Sequence, residues 1–209
     1  MQVVVDGVIF QRQSHGGISR IYREVIPRLC TMDENIEFTI LASKLLKRSL
    51  PEHNRIHHRR LLPIDVFLRP SWLWWPFIPK IRASLQKYGI DQGLGKIWHS
   101  TYYTRLKGWL GKEIVTVVDM THELFPGLFD RRRDDFFRSR KRDCVLSADA
   151  VICISATTQQ DLQRLYGKRL SNTYLIPLAP SHTFRPLGRQ SLCEGLPTEK
   201  PFLLYVGRR

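Results

Sequence analysis

The sequence predicts an α/β fold built on a doubly wound parallel sheet, and three observations carry that prediction. Short apolar runs recur along the chain, as at Val3-Val4-Val5, Val115-Thr116-Val117-Val118 and Ala150-Val151-Ile152-Cys153-Ile154. Runs this short suit strands buried on both faces of a parallel sheet. Longer stretches of helical period lie between them, and alternating β and α segments are the order of a sheet with helices on both sides. The chain has 209 residues, 43% of them hydrophobic and 25% charged, enough for one sizeable core.

Gln2 to Phe10 begins as a strand and runs into a turn at Asp6-Gly7. Ile18, Ile21, Tyr22, Val25, Ile26 and Leu29 repeat at helical spacing, so Ile18 to Cys30 is predicted as a helix. Strands follow at Ile36 to Ala42 and around Ile56 to Leu62. Trp72 to Tyr88 turns helical in its second half and stops at Gly89 as a C-cap. Lys96 to Ser100 and Glu113 to Val118 are strands, and a long helix covers about Asp130 to Ala148. Ala150 to Ile154 is a strand, after which Thr157 and Gln160 offer a capping box to a helix ending near Gly167. Tyr174 to Pro177 is a further strand. Pro180, Pro186 and Pro197 with Gly188 and Gly195 mark a linker. Phe202 to Val206, closed by Gly207, either completes this sheet or, the preferred reading, opens a second domain. The expected division is a first domain over 1–180, a linker over 181–200 and the start of a second domain over 201–209.

Thirty-three Lys and Arg against nineteen Asp and Glu give a net charge of +14, and the excess is clustered. One cluster runs through Lys44, Lys47, Arg48, Arg55, Arg59 and Arg60; another holds Arg131, Arg132, Arg133, Arg138, Arg140, Lys141 and Arg142. Between them, Trp72, Trp74 and Trp75 lie close to Arg69 and Lys80. Such a mixture fits either tryptophans in a core beneath a solvated basic face or the headgroup zone of an anionic membrane. Nucleic acid is the weakest reading, because no recognised binding motif accompanies the charge. No apolar run approaches the roughly 20 residues of a membrane-spanning helix. The N-terminus enters a strand directly, without a signal peptide, so a cytoplasmic location is expected, peripheral on the inner face of the membrane. The four cysteines, Cys30, Cys144, Cys153 and Cys193, form no CxxC pair, which points to reduced thiols rather than a metal site.

Ligands of a doubly wound sheet bind at the carboxyl ends of its strands, so four strand exits are the places to look. Ser14-His15-Gly16-Gly17-Ile18-Ser19-Arg20 enters the first helix, where paired glycines either form a plain turn or let backbone approach a phosphate or sugar. The run is not GxGxxG, which disfavours a nicotinamide or flavin cofactor. Trp98-His99-Ser100-Thr101-Tyr102-Tyr103-Thr104 is polar and aromatic, a strand exit suited to hydroxyl-rich ligands. Asp119, His122 and Glu123 crowd one loop directly after a strand, where they serve either the structure or, as their density suggests, proton handling. Ser155, after the strand ending at Ile154, reads chiefly as a helix cap.

Taken in order, these segments resemble the N-terminal domain of the group 1 (family 4) glycosyltransferases. The resemblance is carried by His15-Gly16-Gly17-Ile18-Ser19-Arg20, Trp98-His99-Ser100, Val115 to Pro126, Ala148 to Ser155, Ile176-Pro177-Leu178-Ala179-Pro180 with Phe184-Arg185-Pro186, and Leu203 to Arg208. It implies a Rossmann-like domain, the first of two facing a cleft in the GT-B architecture. It further implies retaining, hexosyl-type transfer from a nucleotide-sugar donor to a glycan or lipid-linked acceptor, with neither metal nor other cofactor. In that family the first domain mainly holds the acceptor, and the Gly-Gly loop lies near the donor phosphate.

Two departures stand out. Many members carry a histidine immediately before the loop aspartate, where this chain has Val118; His122 lies three residues past Asp119. Most of the family's donor clamp lies beyond the first strand of the second domain, leaving only Arg208 as a clamp cation. The expected activity is therefore the acceptor-side portion of a glycosyltransferase in cell-surface polysaccharide synthesis, inactive by itself. Asp119 and His122 are the expected catalytic residues. Gly16, Gly17, Arg20, His99, Ser100, Tyr102, Glu123, Ser155 and Arg208 are the expected substrate contacts. The competing class is a non-enzymatic basic module that binds glycan, anionic membrane or a partner subunit.

Overall fold

The computed structural model of the chain describes residues 1–42, 46–60, 96–106, 109–167, 171–181, 184, 201 and 203. By its contacts the chain divides into two units, Met1–Pro177 and Leu178–Arg209. Of the second unit few residues are described; among them Phe184 N donates to Ser181 O at 2.8 Å. The Trp72 to Tyr88 segment, most of the linker, the strand expected after Pro201 and Arg208 lie outside the described residues.

Among the described residues the first unit is a sheet of seven strands: β1 (Gln2–Val5), β2 (Glu37–Ala42), β3 (Ile56–Arg60), β4 (Lys96–Ser100), β5 (Lys112–Val117), β6 (Ala150–Cys153) and β7 (Thr173–Leu175). Every pairing is parallel and the spatial order is β3-β2-β1-β4-β5-β6-β7. The predicted doubly wound, Rossmann-like sheet is thus present. The chain winds outward from β1 to β3, returns beside β1 as β4, and winds outward again to β7. Strand order reverses between β1 and β4, and the crevice at such a reversal is where open α/β sheets bind ligands.

The helices are α1 (Val8–Arg12), α2 (Gly17–Met32), α3 (Thr121–Leu124), α4 (Arg131–Ser147) and α5 (Ala156–Tyr166). Alternation along β1 supplies two cores. Val3 and Val5 face Tyr22, Ile26 and Cys30 of α2, while Val4 faces Trp98 and Trp109 on the other side. Val115, Val117, Val151 and Cys153 build a third core with Cys144 and Val145 of α4 and Leu162 of α5. Cys30, Cys144 and Cys153 are buried and unpaired, in line with the thiol reading; Cys193 is outside the described residues.

Several local expectations are corrected. The turn expected at Asp6-Gly7 is present, with Gly7 at φ +61°, and beyond it Val8-Ile9-Phe10 adds the short helix α1, which was not expected. A Cβ at Gly7 would lie 2.4 Å from the Leu41 carbonyl oxygen, so only glycine fits. The cap of α5 is Ser155, whose Oγ accepts from Thr158 N at 3.1 Å; Thr157 is already inside the helix and forms no capping box with Gln160. The strand expected at Tyr174 to Pro177 is β7, Thr173–Leu175, since its register against β6 ends at Cys153↔Leu175. The segment after Asp119, read as a loop, contains the short helix α3.

Asp6 ties the two windings together. It is fully buried at the exit of β1 and accepts from Val8 N at 3.1 Å, Ser100 Oγ at 3.1 Å, Thr101 N at 3.0 Å and the hydroxyls of Thr101 and Thr104. Burial pushes its carboxyl above the usual carboxylate range, and the donors of Thr101, Thr104 and Val8 pull it back. Replacing Asp6 with alanine strands several buried donors, so Asp6→Ala is expected to lower the unfolding free energy by about 3 kcal/mol or more in urea titrations. A loss under about 1 kcal/mol would show that the exits of β1 and β4 are held together by packing alone.

Candidate functional site

Because every strand runs the same way, the exits of β1, β4, β5 and β6 share one edge of the sheet. The Gly16-Gly17 pair starts α2, Gly16 as its N-cap and Gly17 as its first residue. Gly17 opens α2 with nothing within 4 Å of a would-be Cβ, whereas a Cβ on Gly16 would meet the Gln13 side chain. Gln13 Oε1 accepts from Ser19 N at 3.2 Å and so caps one amide of the first turn. The Gly17 and Ile18 amides have no protein acceptor among the described residues, the usual condition of a helix start that receives an anion. Arg48, from the segment after β2, reaches the same place: its Nη1 lies 3.0 Å from Ser19 Oγ and 3.4 Å from Gly16 O. Arg20 stands exposed on the first turn of α2.

The β4 exit turns sharply. Tyr103 adopts φ +54°, a strained conformation for a bulky residue, and Arg140 of α4 fixes it by donating to the carbonyls of Tyr102 at 3.1 Å and Tyr103 at 2.7 Å. Tyr102 is half-buried, with the Arg12 guanidinium 5.1 Å from its ring centre and Phe137 5.5 Å away. Ser100 points into the Asp6 knot, so its hydroxyl is committed to protein. His99 donates or accepts at Thr116 Oγ1 across 3.0 Å and packs edge-on to Tyr22 at 5.5 Å. Burial lowers the His99 imidazole to about 4.

At the β5 exit Asp119 is exposed; one carboxylate oxygen accepts from Thr121 N at 3.0 Å, and the main-chain carbonyl is gripped by Lys141 Nζ at 2.6 Å. Lys141 is buried and pairs with Glu123 Oε2 at 2.8 Å, while Glu123 Oε1 accepts from Tyr166 OH at 2.8 Å. Both oxygens of Glu123 therefore serve the scaffold. His122 sits beside them, with Nδ1 2.5 Å from Asp134 Oδ1 and its ring stacked on Phe129.

The structure thus brings Asp119, His122, Tyr102, the Gly16-Gly17 helix start and Arg20 to the functional edge. It turns Ser100 and Glu123 inward, leaves Ser155 as a cap and packs His99 against the sheet. Sequence reasoning missed three residues. Arg48 was grouped with a basic surface run, although its place after β2 puts it at the same edge. Arg140 and Asp134 were hidden in a charge-rich helix whose register only the packing of Cys144 and Val145 sets.

No metal-ligating cluster of His, Cys, Asp and Glu occurs among the described residues, and none of their helices is long and apolar enough to cross a membrane. A family model described as Glycosyltransferase Family 4 matches residues 15–179. No curated protein matches the sequence. Among solved structures, sucrose-phosphate synthase from Thermosynechococcus elongatus aligns with a TM-score of 0.62 and 16% identity, over 89% of this chain and 50% of that one. That likeness is one of fold, and this chain spans about half the length of the solved structure.

His99 gives a pH dependence with a definite sign. Its folded value of about 4 lies below the roughly 6.5 of an unfolded histidine. Between these values the unfolded chain binds a proton that the native one refuses, so stability is complete above pH 6.5 and falls as pH drops. Urea titrations should show about 2 kcal/mol of loss from pH 7 to pH 5 that His99→Gln abolishes. Identical pH slopes for wild type and variant would show that the imidazole is solvated.

Proposed function

We propose, since the chain belongs to glycosyltransferase family 4, that it forms the acceptor-side portion of an enzyme transferring a sugar from a nucleotide donor to a hydroxyl of a glycan or lipid-linked acceptor. The observation that carries this reading is the β5 exit. There an exposed Asp119, its carboxylate accepting from Thr121 N and its main-chain carbonyl held by Lys141, stands beside a half-exposed histidine on the edge where such sheets bind ligands.

The geometry supports a role for each group. The open amides of Gly17 and Ile18, with the Arg48 guanidinium alongside, offer positive potential to a diphosphate whose charge grows as the sugar departs. Asp119 accepts hydrogen bonds from sugar hydroxyls. Tyr102 and Phe137 offer aromatic faces to the C–H face of a sugar ring. Transfer is of a hexosyl unit with retention of anomeric configuration, and needs no cofactor beyond the nucleotide sugar. A donor-binding domain supplies the remaining cations, so this chain alone turns over little. The product is a cell-surface polysaccharide, made at the cytoplasmic face of the membrane.

Membrane association has support among the described residues. Phe125 and Leu128, 56% and 75% exposed, precede the exposed run Arg131-Arg132-Arg133. Cations at a helix N-terminus oppose its dipole, so these arginines gain from an anionic surface what they lose in the helix. Vesicle co-sedimentation should show binding to anionic lipid that weakens with salt and is reduced in Trp72/Trp74/Trp75→Ser. Equal affinity for neutral and anionic vesicles would remove the electrostatic component, and unchanged binding by the folded triple variant would remove the tryptophans.

For the chemistry, labelled sugar nucleotides and a lipid-linked acceptor should give little or no product with the 209-residue chain alone. When a donor-binding domain is supplied, Asp119→Asn or His122→Ala should lower turnover by about 10²-fold with little change in Tm. Robust turnover by the lone chain, or variants that unfold instead of losing rate, would contradict the assignment.

A further inference from the structure

His122 is held on three sides. Its Nδ1 lies 2.5 Å from Asp134 Oδ1, its ring stacks on Phe129 at 4.0 Å and 21°, and Phe137 leans on it at 4.4 Å and 47°. The Asp134 side chain is 1% exposed, in the first turn of α4. Its other oxygen faces Arg138 Nε at 2.9 Å, close enough for an ion pair but out of line for a hydrogen bond. An acid in a helix's first turn gains from the dipole while fully exposed, so that gain does not explain a carboxylate removed from water. Its best-aligned partner is the imidazole of His122.

An ionised carboxylate only accepts, so Nδ1 is the donor, and in the neutral ring the proton sits on Nδ1 while Nε2 keeps its lone pair. The His122 side chain is 28% exposed, and Nε2 has no hydrogen-bond partner among the described residues. We propose that Asp134 is a positioning residue: it fixes the tautomer and ring plane of His122, so that Nε2 presents an acceptor to a substrate hydroxyl at the β5 exit. The two phenylalanines block rotation of the ring, and Arg138 holds the Asp134 side chain in place. The proposal rests on the reading of the β5 exit as a substrate site, but its first test does not.

Long-range proton–nitrogen NMR of the 209-residue chain at pH 8 should show Nδ1 of His122 protonated and Nε2 bare. A majority Nε2–H form in the wild type overturns the proposal, and no variant needs to fold for that result. Asp134→Asn, which keeps the volume, should shift the ring toward the Nε2–H form, whereas a purely structural Asp134 would change Tm and leave the tautomer as it was. Diethylpyrocarbonate, which acylates a free ring lone pair, should modify His122 at Nε2 in the wild type; a resistant His122 also overturns it. With a donor-binding domain supplied, Asp134→Asn should lower kcat about tenfold with KM within about twofold, and a change confined to KM counts against it. Absent transfer in the wild type would refute the glycosyltransferase reading while the tautomer result stands.

Discussion

Asp6 occupies the point at which the sheet changes winding direction, and the geometry of the functional edge depends on it. From one carboxylate it collects the first amide of α1 and four donors of the β4 exit. Taking a carboxylate out of water is costly, and only this density of donors offsets the cost. The arrangement fixes α1 and the Ser100 to Thr104 turn relative to each other. Arg12 and Tyr102, which meet above it, inherit that placement.

A second polar tie organises the other half of the edge. Lys141 reaches from α4 to the Asp119 carbonyl and to Glu123, and Tyr166 of α5 closes the set from the far side. Three elements are thereby locked to the β5 exit by directional bonds rather than by packing, which leaves the Asp119 carboxylate exposed without leaving it loose. Arg140 does the same for the strained turn at Tyr103. Positions that a ligand would touch are held by buried groups that it would not touch, a division expected of a preorganised site.

How much of this was legible in the sequence depends on which signal a residue leaves. Strands β1, β5 and β6 are apolar runs with no competing interpretation, and α4 is long enough to survive its own charge. The turn at Asp6-Gly7 is legible, but the helix that Val8-Ile9-Phe10 forms after it is not, because composition does not record the positive φ of Gly7. Asp119 and His122 stand out in the sequence because their residue types crowd a strand exit. Glu123 at the same exit and Ser100 at the β4 exit are of equally suitable type, yet their side chains point inward, and the direction of a loop side chain follows from partners far away in sequence. Asp134 and Arg140 sit in a run of charges that looks like a solvated face, and only the register of α4 on the sheet separates the buried ones from the rest.

The Asp6 knot has a further consequence, in the order of events during synthesis. Asp6 is made before its partners, and Ser100 and Thr104 follow it by 94 and 98 residues. At roughly 5–20 residues per second, the nascent chain carries that carboxylate for about 5–20 s before its partners exist. Until then β1 can pair with β2 but not with β4, so one edge of the future central strand stays open. Keeping Asp6 charged and hydrated through that interval discourages premature burial of the edge, and the carboxylate leaves water only when the donors that replace it have arrived.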